Sequence, residues 1–69
     1  MTFQQVFDQL YKQEKIVEYQ SLTSEKIHKL WCTIPRKFQS DSSKIVVLNL
    51  ETKKSNDIEI STIISITND

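Results

Sequence analysis

The chain has 69 residues, 26% of them charged and 38% hydrophobic, and its nine basic residues balance nine acidic ones. A chain of this length and composition is typical of one small globular domain over residues 1–69, and it excludes a disordered acidic tail. The sequence contains no glycine. This excludes a P-loop, a dinucleotide-binding fingerprint and a glycine-flanked nucleophile elbow, because each of them needs residues without a Cβ.

The first predicted element is a helix over about residues 2–14. One apolar stripe at spacings of three and four supports it: Phe3, Val6, Phe7, Leu10 and Tyr11. Thr2 and Gln5 have the spacing of a capping box, which predicts where the helix begins. The stripe is most simply core, and the alternative is an interface for a protein partner.

Four predicted strands follow the helix, at about residues 16–22, 26–34, 44–51 and 57–66. Pro35 ends the second of them because proline cannot donate to a ladder. Within that strand, Trp31 and Ile34 are expected to fill the core or brace the helix. Their positions alternate, so only one face is expected to be fully buried.

The last predicted strand has a break in its alternation. At period two, one face takes Ile58, Ile60, Ile64 and Ile66. Ile63 is out of phase with them, and this predicts a bend or bulge near Thr62 that divides the segment. The predicted fold class is therefore α+β, mostly β, with an N-terminal helix followed by a four- or five-stranded antiparallel SH3-like or Sm-like small barrel.

Three runs carry a resemblance to a known family: CTIP at residues 32–35, VVLNLE at 46–51 and ISTIISI at 60–66. Over roughly residues 17–66 the chain resembles the small WYL-type Sm-like domains that bacteriophages often encode. A second similarity, to bacterial Sm-like RNA chaperones, rests on the leading helix and the Ile-Ser-Thr run. Their RNA pocket uses a Lys-His pair where this chain has Ile58 and Glu59, so that pocket is not expected here.

Catalytic and metal chemistry are not expected. His28 and Cys32 lie about 13 Å apart in an extended strand, too far for a nucleophile and its base. One histidine and one cysteine supply only two ligands for a metal, and the carboxylates are scattered among lysines. We expect Cys32 to be a small buried side chain, His28 to be half exposed, and the protein to be no enzyme and to need no cofactor.

The charge is unevenly distributed along the chain. Residues 26–54 hold seven basic and two acidic residues, a net charge of +5, whereas residues 1–25 carry −2 and residues 55–69 carry −3. The candidate binding residues are the cations and one aromatic of this central segment: Lys29, Arg36, Lys37, Phe38, Lys53 and Lys54. Cations of this kind neutralise phosphates, and lysines at strand ends also keep small sheets soluble.

Two functions are consistent with these patterns. The first is a non-enzymatic, phage-type accessory binding module that acts on nucleic acid or on a nucleoprotein enzyme. The alternative is a protein-binding inhibitor or assembly factor without nucleic-acid contact. The expected partners are thus nucleic acid or a host or phage protein, with a homo-oligomer also open. The sequence shows no apolar run long enough for a membrane helix and no signal peptide. The single cysteine fits a cytoplasmic location, which would be the host cytoplasm if a phage encodes the chain.

Overall fold

The computed structural model describes residues 2–37 and 43–68, which form one α-helix, five strands and a short 3₁₀ helix. In chain order these are α1 (Phe3–Leu10), β1 (Lys15–Gln20), β2 (Ile27–Thr33), β3 (Lys44–Asn49), β4 (Lys54–Glu59), the 3₁₀ helix (Ile60–Thr62) and β5 (Ile63–Thr67). The predicted N-terminal helix and mostly β, antiparallel structure are confirmed. No helix in the described ranges is long and apolar enough to cross a membrane.

Helix α1 begins at the predicted capping box. The Thr2 hydroxyl accepts a hydrogen bond from the Gln5 amide at 3.2 Å, and the Gln5 side-chain carbonyl accepts one from the Thr2 amide at 2.9 Å. Two of the amide donors at the helix start are satisfied in this way. Val6 and Leu10 are fully buried, so the helix packs onto the sheet through its second and third turns.

The helix ends at Leu10, four residues before the predicted end, because the chain turns there to meet β2. The Ile34 amide donates to the Leu10 carbonyl at 3.0 Å, and the Lys12 amide donates to the Ile34 carbonyl at 2.8 Å. Tyr11 and Ile34 form an isolated parallel bridge. Lys12 takes a positive φ of 55° to make this turn, which the apolar periodicity of the helix does not reveal.

The five strands form one antiparallel sheet in the order β4-β3-β2-β1-β5. Strands β1 and β2 pair along their whole length, from Lys15 with Cys32 to Gln20 with Ile27. Strands β2 and β3 pair only at the end of β2, where Thr33 lies opposite Leu48 and Cys32 opposite Asn49. The first part of β2 therefore has β1 as its partner on one side alone.

The 3₁₀ helix carries the chain from one edge of the sheet to the other. Strands β4 and β5 are the two edges, yet only Ile60–Thr62 separate them in sequence. Three residues of 3₁₀ helix advance about 6 Å, whereas four strand spacings of a flat sheet cover about 19 Å. The sheet must therefore curl strongly. In the described chain β4 and β5 are not paired with each other, so the sheet is not closed and the predicted barrel is not confirmed.

The core lies on the concave side of the sheet, beneath the helix. Ten buried apolar residues form it: Val6, Leu10, Val17, Leu30, Cys32, Ile34, Ile45, Val47, Ile58 and Ile60. The expected division of the last predicted strand is confirmed, because the 3₁₀ helix ends at Thr62. Its expected inner face is wrong at one position. The register shifts between Glu18 and Tyr19, so Ile63 packs against the core while Ile64 is 49% exposed.

Candidate functional site

The predicted basic residues do not form one patch. Lys29 lies in the middle of β2, where its ammonium group is 3.6 Å from the Glu18 carboxylate on β1. Both side chains are partly exposed, so this ion pair contributes little stability. It does neutralise Lys29, which is therefore a poor candidate for binding a phosphate.

Arg36 and Lys37 follow the end of β2, directly beyond the point where the chain meets the helix. The Lys37 ammonium group lies 6.0 Å from the centre of the Tyr11 ring, and that of Lys12 lies 5.4 Å from the same ring. Cations at this distance from an aromatic face are attracted by its negative potential. We call Tyr11, Lys12, Arg36 and Lys37 the Tyr11 cluster. None of its three cations has an ion-pair partner among the described residues.

Lys53 and Lys54 lie at the other end of β3. Lys54 begins β4 opposite Asn49, while Arg36 lies beside Val46. Three residues of strand separate these two positions on β3, a distance of about 10 Å. The structure thus divides the candidates into the Tyr11 cluster and a β3–β4 turn. Phe38 lies outside the described residues.

The β3–β4 turn is built without glycine. The Asn49 side-chain carbonyl accepts hydrogen bonds from the amides of Glu51, at 2.9 Å, and Thr52, at 3.3 Å. Lys53 completes the turn with a positive φ of 62°, a conformation that favours glycine or asparagine. Lys53 therefore has a structural task in this turn that does not depend on its charge.

A groove adjoins the Tyr11 cluster. It has a volume of about 490 Å³, and its lining is mostly apolar. The residues that line it are Ile34, Pro35, Arg36, Val46, Val47, Leu48 and Ser55. Val46 and Leu48 belong to the convex side of β3, since Ile45 and Val47, which alternate with them, are buried in the core. Pockets of about 300–1,000 Å³ with an apolar lining and few polar groups are typical of small-molecule sites.

The aromatic residues of the helix form a ladder that leads to the cluster. Phe3 and Phe7 stack with ring centres 6.0 Å apart, and Phe7 and Tyr11 stack at 5.2 Å. All three rings are half-buried and pack against the core, while Val6 and Leu10 are the fully buried residues of the helix. The ladder holds the Tyr11 ring in place, and with it the position at which the two lysines meet.

Trp31 and Ile34 differ in their surroundings. Ile34 is buried in the core, as expected, whereas Trp31 is half-buried on the convex side, opposite Ile16. The Trp31 indole N–H is inaccessible to solvent and has no hydrogen-bond partner in the described part of the chain. An unpaired buried donor costs stability.

Cys32 is unsuited to nucleophilic chemistry. Its side chain is fully buried, and burial raises the pKa of the thiol from 9.0 to about 11 because the charged thiolate is poorly solvated there. His28 stacks on Tyr19 with ring centres 5.4 Å apart. Within residues 2–37 and 43–68, no group of three or more histidine, cysteine or acidic side chains is placed to hold a metal ion.

The sequence did not single out Lys12. The predicted helix over residues 2–14 included it, and nothing in the periodicity says that the helix ends at Leu10 and meets the end of β2 there. That contact brings Lys12 and Lys37 to one ring although 25 positions separate them. Comparison of the chain with family models, with curated proteins and with solved structures finds no match.

Proposed function

We propose that this protein is a non-enzymatic binding module for single-stranded nucleic acid, and that the Tyr11 cluster with its groove is the binding site. The observation that carries the proposal is the meeting of Lys12 and Lys37 at one aromatic ring beside the groove that Arg36 lines, with no ion-pair partner for these cations among the described residues. Convergent cations gain affinity for a phosphate backbone by releasing its condensed counterions. Isolated surface lysines, each with its own acidic neighbour, do not.

The groove supports a single-stranded ligand over a duplex. Its apolar lining at Val46 and Leu48 suits a base or a sugar, while Arg36 in the same groove suits the phosphate beside it. A base can enter such a groove only when it is free of its pairing partner. Asp57 lies opposite Val46 on β4, and its negative charge partly offsets the attraction of Arg36 for a phosphate beside it.

The Sm-like barrel type, a phage origin and a cytoplasmic location belong to the same proposal. The strong curl of the sheet supports a barrel, because the 3₁₀ helix brings the edges β4 and β5 close together. The nucleic acid can also belong to a nucleoprotein enzyme, since the cluster recognises phosphate and an unpaired base, whatever protein accompanies them.

The test is a titration of labelled single-stranded DNA, single-stranded RNA and duplex DNA followed by fluorescence anisotropy. We expect saturable binding of a single strand that Arg36→Glu/Lys37→Glu abolishes. The matched control is Lys53→Glu/Lys54→Glu, which changes the net charge equally at the other end of β3 and is expected to retain most of the binding. Equal losses in both variants would reduce the interaction to overall charge, and no binding at low salt would end the proposal.

A protein-directed role is the second candidate, and one observation favours it. Three large apolar side chains are exposed away from the Tyr11 cluster: Leu22 at 74%, Ile27 at 58% and Ile64 at 49%. Leu22 and Ile64 line the same groove at the tip of the β1–β2 hairpin. For an inhibitor or assembly factor of this kind, we expect partner binding that is insensitive to salt and is lost in Leu22→Asp.

A further inference from the structure

The edge strand β5 has a bulge but lacks the charged residues and proline that protect most sheet edges from pairing. Its sequence, IISIT, has no charged residue and no proline, and in the described chain it pairs with β1 alone. Edge strands usually carry charges, proline or bulges because their free amides and carbonyls are a template for another strand. The bulge in β5 falls at its first residues, Ile63 and Ile64, and leaves Ser65–Thr67 regular.

The opposite edge of the sheet is protected. Strand β4, KSNDIE, carries Lys54, Asp57 and Glu59 within its six residues. Its neighbour on β3, Lys44, lies 3.8 Å from the Glu59 carboxylate. Pairing β4 with another strand would place these charged side chains beside that strand, which disfavours association. Strand β5 is therefore the edge more open to pairing.

The apolar side chains of β5 are incompletely covered. Ile63 and Ile66 pack against the core but stay half-exposed, and Ile64 is 49% exposed. No isoleucine of this strand is fully buried by the described residues. Another β-strand paired with β5 would satisfy its unpaired backbone groups and cover its three partly exposed isoleucines at the same time.

We infer that the protein forms a two-fold symmetric dimer in which β5 pairs antiparallel with β5 of a second copy. A register centred on Ser65 places Ile64 opposite Ile66 of the second copy, so that isoleucine meets isoleucine across the new ladder. A two-fold contact of this type uses the same surface on both copies. It joins the two sheets into one through an interface that contains no charged side chain of β5.

The charges next to β5 allow this arrangement. Ser65 lies opposite Glu18, whose carboxylate is 3.6 Å from the Lys29 ammonium group on β2. Across the two-fold axis, the two Glu18 side chains would be three strand spacings apart, about 14 Å. That exceeds the Debye length of about 8 Å at physiological salt. Each carboxylate has its own lysine, so no like-charge repulsion opposes the dimer.

The dimer does not depend on the proposed nucleic-acid function, and it is tested without a ligand. Sedimentation equilibrium is measured from about 10 μM to about 1 mM, since association makes the apparent mass rise with protein concentration. We expect the mass to rise from 8.1 kDa toward twice that value. Ile64→Lys introduces a charge at an exposed position of the edge and is expected to keep the protein monomeric. The control Ile27→Lys, at an exposed apolar position on β2, two strands away from β5, is expected to dimerise.

Cysteine cross-linking tests the register independently of Ile64→Lys. Ser65→Cys is expected to form a disulfide-linked dimer under mild oxidation, because a residue at the two-fold axis lies opposite itself. Ser55→Cys, on the protected edge β4, is the matched control and is expected to stay monomeric, and native Cys32 is too buried to react. A monomer at every concentration would overturn the inference. So would a dimer that Ile27→Lys breaks and Ile64→Lys leaves intact.

Discussion

Removing two cations from the Tyr11 cluster is expected to change how steeply nucleic-acid binding falls with salt. The perturbation is Arg36→Ala/Lys37→Ala, which leaves Lys12 as the remaining cation beside the Tyr11 ring. All three side chains are exposed, so the substitutions are expected to leave the fold unchanged. The affinity should become weaker, and its dependence on salt should become shallower.

The magnitude follows from the number of phosphates that the cluster neutralises. Three contacts to a single strand predict that log K falls with log salt at a slope of about −2, an affinity loss of about 20-fold between about 50 and 200 mM salt. With Lys12 alone the slope becomes about −0.7, and the loss over the same range shrinks to about threefold. The difference between these slopes is large enough to measure in five or six titrations.

The assay is the anisotropy titration repeated across a salt series. Lys53→Asn/Lys54→Ala is the matched control: it removes the same charge, and asparagine tolerates the positive φ of position 53. The control should keep the slope of about −2. A slope that is unchanged in the Arg36 and Lys37 variant, or one that falls equally in the control, would refute the assignment of phosphate contacts to the Tyr11 cluster.

Three further predictions concern charge, backbone and burial. Asp57→Asn should strengthen single-strand binding about twofold, because it removes one like charge near the phosphate at Arg36, and anisotropy at low salt measures this. Lys53→Gly should raise the free energy of unfolding by about 0.5–1 kcal/mol, since glycine relieves the positive φ and loses part of that gain through its greater freedom when unfolded. Thr52→Gly in the same turn should not raise the free energy of unfolding. If urea denaturation showed both glycine variants to be equally stabilised, the backbone explanation would be contradicted. The free energy of unfolding should also fall as the pH rises from about 9 to about 11. In the unfolded chain Cys32 ionises near its ordinary pKa of 9.0, whereas the folded protein keeps the thiol protonated up to a pKa of about 11. Cys32→Ala should lack this component, and identical pH profiles for both proteins would argue against the raised pKa.

Local patterns predicted much of the fold. The capping box at Thr2 and Gln5 and the alternation in the strands depend on neighbouring residues, and the structure confirms the helix start and the mostly β architecture. The helix end was not predictable in the same way. It is set by hydrogen bonds to Ile34, which is 24 positions away from Leu10, and no periodicity within the helix carries that information.

The candidate site shows the same limit more sharply. Composition located the excess of positive charge in residues 26–54, but strand register decides which of those charges meet. The register pairs Lys29 with Glu18 and places Lys54 about 10 Å from Arg36 along β3. It also brings in Lys12, which lies outside the basic segment. The inward side of Ile63 likewise follows from a bulge in the pairing with β1, a feature of two strands together.

The measurement that tests the central claim most directly is an NMR titration of the ¹⁵N-labelled protein with an unlabelled single-stranded oligonucleotide. The proposal predicts that amide shift changes concentrate on both sides of the contact between the helix and β2 and along the adjoining groove, at Lys12, Ile34, Arg36, Val46 and Ser55. Changes confined to the β3–β4 turn at Lys53 and Lys54, or to β5, would contradict it, as would the absence of any change at low salt.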